Sequence, residues 1–133
     1  MNARFIGALI ATFVFVAVYD FVFHNIYLGP IYQATPQLWR PEAEMMDFMA
    51  YLTLGQFIIT LGIVWIVFRT ERGGWAAGAM TGIALAVIAA GTNLIFFAVQ
   101  PLPSDLVCKW IMSGFVQSAI AGAIAGAIYK PEL

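Results

Sequence analysis

Apolar residues run almost unbroken through four stretches of this chain, 5–28, 48–68, 75–99 and 110–129, and polar residues gather in the intervals between them. Each stretch reaches the roughly 20 residues that a helix needs to cross a bilayer. The last three contain no Asp, Glu, Lys or Arg, and the first contains only Asp20. A segment in hydrocarbon must satisfy its own backbone hydrogen bonds, so helices are the expected form. The first stretch is longer than the h-region of a signal peptide, and no small-x-small cleavage pattern follows it, so it reads as a retained helix. The pattern predicts an all-α fold: one integral membrane domain over 1–133, built as a four-transmembrane-helix bundle with a long external loop at 29–47.

The intervals carry their own punctuation. Gly29-Pro30 closes the first helix, because the residue before a proline avoids helical geometry. Thr35-Pro36 and Arg40-Pro41 each offer a helix start with proline in the first turn. Glu42 and Glu44 then fall where carboxylates favour the positive end of the helix dipole. Arg72-Gly73-Gly74 reads as a tight turn, and Gln100-Pro101-Leu102-Pro103 breaks the chain before the last helix.

Composition points the same way. The chain is 62% hydrophobic and only 10% charged, where a soluble domain carries about a quarter charged residues; its mean hydropathy is +0.89. So few charges cannot cover a surface in water, which makes the lipid bilayer the expected surroundings. Six Lys and Arg against seven Asp and Glu leave no basic patch for nucleic acid. Arg4, Arg69, Arg72 and Lys130 fall on one side of the expected bundle, Arg40 and Lys109 on the other. The positive-inside rule then puts both termini in the cytoplasm, with Trp39, Trp75 and Trp110 at the interfaces.

Four polar residues interrupt the apolar stretches at similar depth. Asp20 lies eight residues before Leu28, Asn93 six before Val99, Gln56 eight after Phe48 and Gln117 seven after Trp110. At about 1.5 Å per residue, all four sit about 9–12 Å inside the outer ends of their helices. His24 follows Asp20 by four residues, on the same helical face. Asp20, His24, Gln56, Asn93 and Gln117 therefore form a candidate intramembrane polar layer. Two readings stay open: amides and an acid acting as interhelical glue, or an ionisable group placed in the membrane for function. His24 lies closest to the headgroups, where it can also snorkel to water.

A second pattern concerns packing. Small residues recur every four positions at Gly74, Gly78, Gly82, Ala86 and Ala90, and again at Gly114, Ser118, Gly122 and Gly126. Such stripes let helix backbones approach closely in lipid, and the short intervening loop favours packing the two helices on each other. The hairpins also look faintly alike, with Gln56 thirteen residues before Arg69 and Gln117 thirteen before Lys130. That fits parallel two-helix repeats.

No cofactor is expected. Met45, Met46 and Met49 cluster, and thioethers can bind Cu(I), but with one His and one Cys they make no ligand set and read better as interface residues. Cys108 alone rules out an internal disulfide or a thiolate metal cluster. Nothing resembles a nucleophile–base pair, a phosphate loop or a zinc motif.

The first loop reads YQATPQLWRPEAEM, Tyr32 to Met45, preceded by DFVFHNIYLGPIY and followed later by QPLP at 100–103. Taken together these segments resemble a group of small, uncharacterised bacterial four-helix integral membrane proteins, in which a polar first helix leads into a similar Y-x-x-T-x-x-L-W-R-P-E-A-E-M loop. The resemblance implies a bacterial inner-membrane protein and brings no reaction, substrate or catalytic residue with it. Within the loop, Tyr32, Trp39, Arg40 and Glu44 form a candidate external lid: Arg40-Pro41 is a corner that can fold 32–39 over the mouth of the bundle, or the segment is a plain interfacial connector. The expected function is that of a structural or accessory membrane component without catalysis, as a homo-oligomer or within a larger complex. The alternative is an oligomeric small-solute or proton-linked transport protein that uses the polar layer.

Overall fold

A computed structural model describes residues 2–129 of the chain; Lys130, counted above for orientation and for the repeat, lies outside them. Helix α1 (Ala3–Asp20) runs on directly into a π-helical segment (Phe21–Tyr27). The short α2 (Gly29–Ala34) and a single 3-10 turn (Pro36–Leu38) follow, then α3 (Glu42–Arg69), α4 (Trp75–Val99) and α5 (Ser104–Ile128). Counting α1 with its π-helical continuation, four helices are long and apolar enough to cross a membrane. The protein is thus a four-helix, multi-pass membrane bundle. Residues 29–41 and 100–103 lie at one end, the loop end; the start of α1, the 70–74 turn and the end of α5 lie at the other, the terminal end.

Two helices start earlier than their apolar stretches. α3 begins at Glu42 rather than at 48, and α5 at Ser104 rather than at 110. Pro41 and Pro103 stand at the cap positions, and Glu42, Glu44 and Asp105 occupy the first turns. Carboxylates there favour the positive end of the helix dipole, so a polar turn extends each helix beyond its apolar part. α4 matches its stretch at both ends, because Gly74 with φ 101° opens it and the extended Gln100 closes it.

Three of the long helices, α1, α3 and α5, share a core. α1 presents Ala8, Thr12 and Val16 at a spacing of four, and α3 presents Thr60, Ile63, Val64 and Val67 at helical spacing. Ala121 and Ala125 of α5 complete the cluster. Small residues on α1 and α5 let the backbones come close, and the β-branched residues of α3 fill the space. Phe68 closes the terminal end, edge-on to Phe5 at 5.3 Å and to Tyr129 at 4.7 Å. The Thr12 hydroxyl is fully enclosed with no hydrogen-bond partner among the described residues, an omission that costs about 1–3 kcal/mol for a buried polar group.

α4 stands outside this trio and packs chiefly on α5. The stripe explains why. A Cβ on Gly78 would run into the carbonyl of Gly122, one on Gly82 into the carbonyl of Ser118, and one on Gly122 into the carbonyl of Gly78. Gly126 meets Gly74 and Gly78 in the same way, and the Gly74 amide donates to the Gly126 carbonyl at 3.0 Å. The backbones touch because these positions carry no side chain. Gly114 corrects the expectation: a Cβ there would meet nothing within 4 Å. The two hairpins are also packed differently, since α1 contacts both α3 and α5 while its counterpart α4 packs almost only on α5.

Candidate functional site

Asp20 is the last residue of α1, at the junction with the π-helical segment. Its side chain points toward α3 and α5. Gln117 Nε2 donates to Oδ1 at 2.6 Å, and Gln56 Nε2 donates to Oδ2 at 2.8 Å. One carboxylate therefore ties three membrane-spanning helices together, with each oxygen taking one amide. Thr60 donates to the Gln56 carbonyl one turn deeper, at 2.8 Å. Beside the clamp, the Tyr19 hydroxyl pairs with Ser113 Oγ at 2.8 Å. Tyr19 and Ser113 escaped the sequence reading, although Trp110, Ser113 and Gln117 follow one another at i, i+3 and i+7 on one stripe of α5.

His24 does not join the carboxylate. It lies in the π-helical segment, with Nδ1 at 2.7 Å from the Tyr32 hydroxyl and its ring stacked on the Tyr32 ring at 6.1 Å. The Trp110 indole donates to the same hydroxyl at 2.9 Å. The phenol thus accepts from the indole and pairs with His24 Nδ1, where the imidazole tautomer sets whether the phenol proton or a ring N–H bridges the two. Burial pushes the Tyr32 phenol up from its ordinary range, which keeps that proton in place.

The π-helical segment sets this geometry. Its backbone closes on wider rings, as in the Leu28 N–H to Phe23 carbonyl bond of 2.8 Å, and such segments are rare and recur at functional sites. Tyr19, Phe23 and Tyr27 stack in sequence along it, at 6.1 and 5.6 Å. Phe23 meets His24 edge-on at 5.2 Å.

Part of the candidate lid is folded in. Tyr32 and Trp39 lie edge to face at 5.0 Å, and Trp39 meets Trp110 at 6.0 Å. Thr35 fixes this turn by donating to the Ile31 carbonyl at 2.9 Å and accepting from the Trp39 indole at 3.0 Å. Trp39 and Trp110 are therefore mutual packing partners, half-buried, and Trp75 is the exposed indole of the three, at 68%. Pro41, at ψ 144°, turns the corner into α3. Arg40 and Glu44 lie outside the fold-back: the Arg40 guanidinium sits over the Phe48 ring at 3.8 Å, and Glu44 is exposed.

Asn93 is the residue that the structure removes from the layer. No hydrogen bond joins its side chain to the clamp, and α4 is separated from α1 by α5. The antiparallel contact of Gly82 with Ser118 sets the level of the two helices. Continued outward, it puts Asn93 opposite Val107, about ten residues or roughly 15 Å nearer the loop end than Gln117. Depths counted from the apolar starts hid this offset, because α5 begins at Ser104.

Searches against protein-family models, curated proteins and solved structures find no match to the chain.

Proposed function

We propose that the protein is a structural or accessory component of a bacterial inner membrane, without catalysis of its own, working as a homo-oligomer or inside a larger membrane complex. One observation supports this best: the intramembrane acid has both oxygens occupied by amides from two other helices. Asp20 is thereby committed to holding α1, α3 and α5 in register. Purification in mild detergent followed by mass measurement of the intact assembly tests the reading. A heterologous partner in defined stoichiometry supports it, and a monomer with no partner in any detergent counts against it.

In this reading both termini face the cytoplasm, supported by Arg4, Arg69 and Arg72 at the terminal end against Arg40 and Lys109 at the loop end. Gln37 and Gly73 are exposed at opposite ends. In a Cys108→Ser background, cysteine at 37 should react with an impermeant thiol reagent in intact cells, and cysteine at 73 should not. The reverse labelling would invert the orientation.

Small-solute or proton-linked transport is the second reading. It is favoured by the chain of hydrogen-bonding groups, His24, Tyr32 and Trp110, which continues from the level of Asp20 toward the loop end.

A further inference from the structure

The glycine stripe draws α4 onto α5 while α3 and α4 scarcely touch, and an open groove of about 750 Å³ runs along α4 beside the 70–74 turn at the terminal end. Its wall is small and apolar: Ala76, Ala77, Met80 and Ala84, with Thr81. The Thr81 hydroxyl is already spent on the Ala77 carbonyl at 3.0 Å, so the wall offers little polarity of its own. Arg72 stands at its mouth beside Thr70, whose hydroxyl bonds the Val67 carbonyl at 2.8 Å. Among the described residues Arg72 has no carboxylate within ion-pair distance. From Ala76 to Ala84 the groove runs about 12 Å along the helix, close to the ~15 Å depth of one leaflet. A second groove on the far side of α4, lined by Trp75, Ala79, Ala123 and Ile124 among others, is equally apolar but carries no charged residue.

We propose that this groove along α4 is a binding site for one anionic phospholipid, with an acyl chain against Ala76, Ala77, Met80 and Ala84 and the headgroup phosphate on Arg72. The uncharged groove takes acyl chains without headgroup preference. The site rests on the groove, its length and its one cation, and is independent of whether the protein is an accessory component or a transporter.

Native mass spectrometry of the purified full chain, given equal amounts of phosphatidylglycerol and phosphatidylcholine, reads the site directly. One phosphatidylglycerol should be retained over phosphatidylcholine by about fivefold, the preference that one basic residue near a membrane surface provides. Arg72→Gln, at an exposed turn where folding is not at stake, should bring the ratio near one. Ala77→Leu should expel the lipid by filling the groove, while Ala123→Leu in the other groove and Arg40→Gln at the loop end should leave the preference intact. Equal retention of the two lipids, or a preference that survives Arg72→Gln, overturns the proposal. So does an equal loss in Arg69→Gln, which would reveal diffuse attraction to basic residues and no built site. A lipid-free dimer that buries this groove would assign it to a second copy and overturn it as well.

Discussion

Gly82→Ala and Gly122→Ala are each expected to lower the unfolding free energy by about 3 kcal/mol, the upper end of overpacking costs. The same substitution at Gly114 or Gly91 should raise it, by up to about 1 kcal/mol. The contrast follows from what each new methyl would meet. At Gly82 and Gly122 it would coincide with a backbone carbonyl of the facing helix, which cannot rotate away as a side chain can, so α4 must move off α5 as a whole. At Gly114 and Gly91 it would meet nothing within 4 Å and would only reduce the conformational freedom of the unfolded chain. Moving α4 outward also forfeits the buried contact of Ala86, which is 2% exposed. Denaturation in mixed detergent would measure all four variants on one scale. Four equal changes would show that the stripe has no part in holding α4, and a loss at Gly114 matching that at Gly122 would restore it to the contact.

The behaviour of Gly114 shows where the sequence stops being informative. A spacing of four continues along a helix regardless of what faces it, whereas two straight helices in contact draw apart on either side of their closest approach. The stripe was legible; the point at which contact ends was not. The same holds for Asn93. Its depth, counted from the end of α4, matched those of Gln56 and Gln117 only because theirs are counted from apolar starts, and that ruler fails where a charged first turn, such as Glu42 and Glu44 in α3 or Asp105 in α5, extends the helix beyond its apolar part. The ends of α4 were readable because glycine and proline bound it on both sides.

Asp20, Gln56 and Gln117 were legible as a group for a physical reason: few strongly polar side chains occur in these apolar runs, and an acid in hydrocarbon needs partners. The π-helical segment left no trace, since nothing in FVFHNIY breaks a helix and its aromatic residues continue the pattern before it. The pairing of His24 with Tyr32 was hidden for the same reason. It needs both the altered winding after Asp20 and the fold-back of 29–39, and neither follows from local spacing.

Asp20→Leu is expected to destabilise the bundle by about 2–6 kcal/mol, because it strands two amide donors at about 1–3 kcal/mol each in surroundings without water. Asp20→Asn should cost no more than about 1 kcal/mol, the worth of an ordinary hydrogen bond. Its carbonyl can accept from one glutamine, and its NH₂ can donate to the other once that glutamine turns its amide to present oxygen. The triple variant Asp20→Leu, Gln56→Leu, Gln117→Leu should recover much of the loss in Asp20→Leu, since removing all partners of a buried polar set leaves nothing unsatisfied. These three melting curves separate a tie between helices from a tuned ionisable group. If the triple variant is no better than Asp20→Leu, the stranded amides are not the source of the loss, and the clamp reading falls. If Asp20→Asn folds normally yet abolishes a proton or solute flux that the wild type shows in proteoliposomes, the carboxylate is needed for its charge. Asp20 would then belong to the transport reading, and the hydroxyl and imidazole chain through His24 and Tyr32 would be its route toward the loop end.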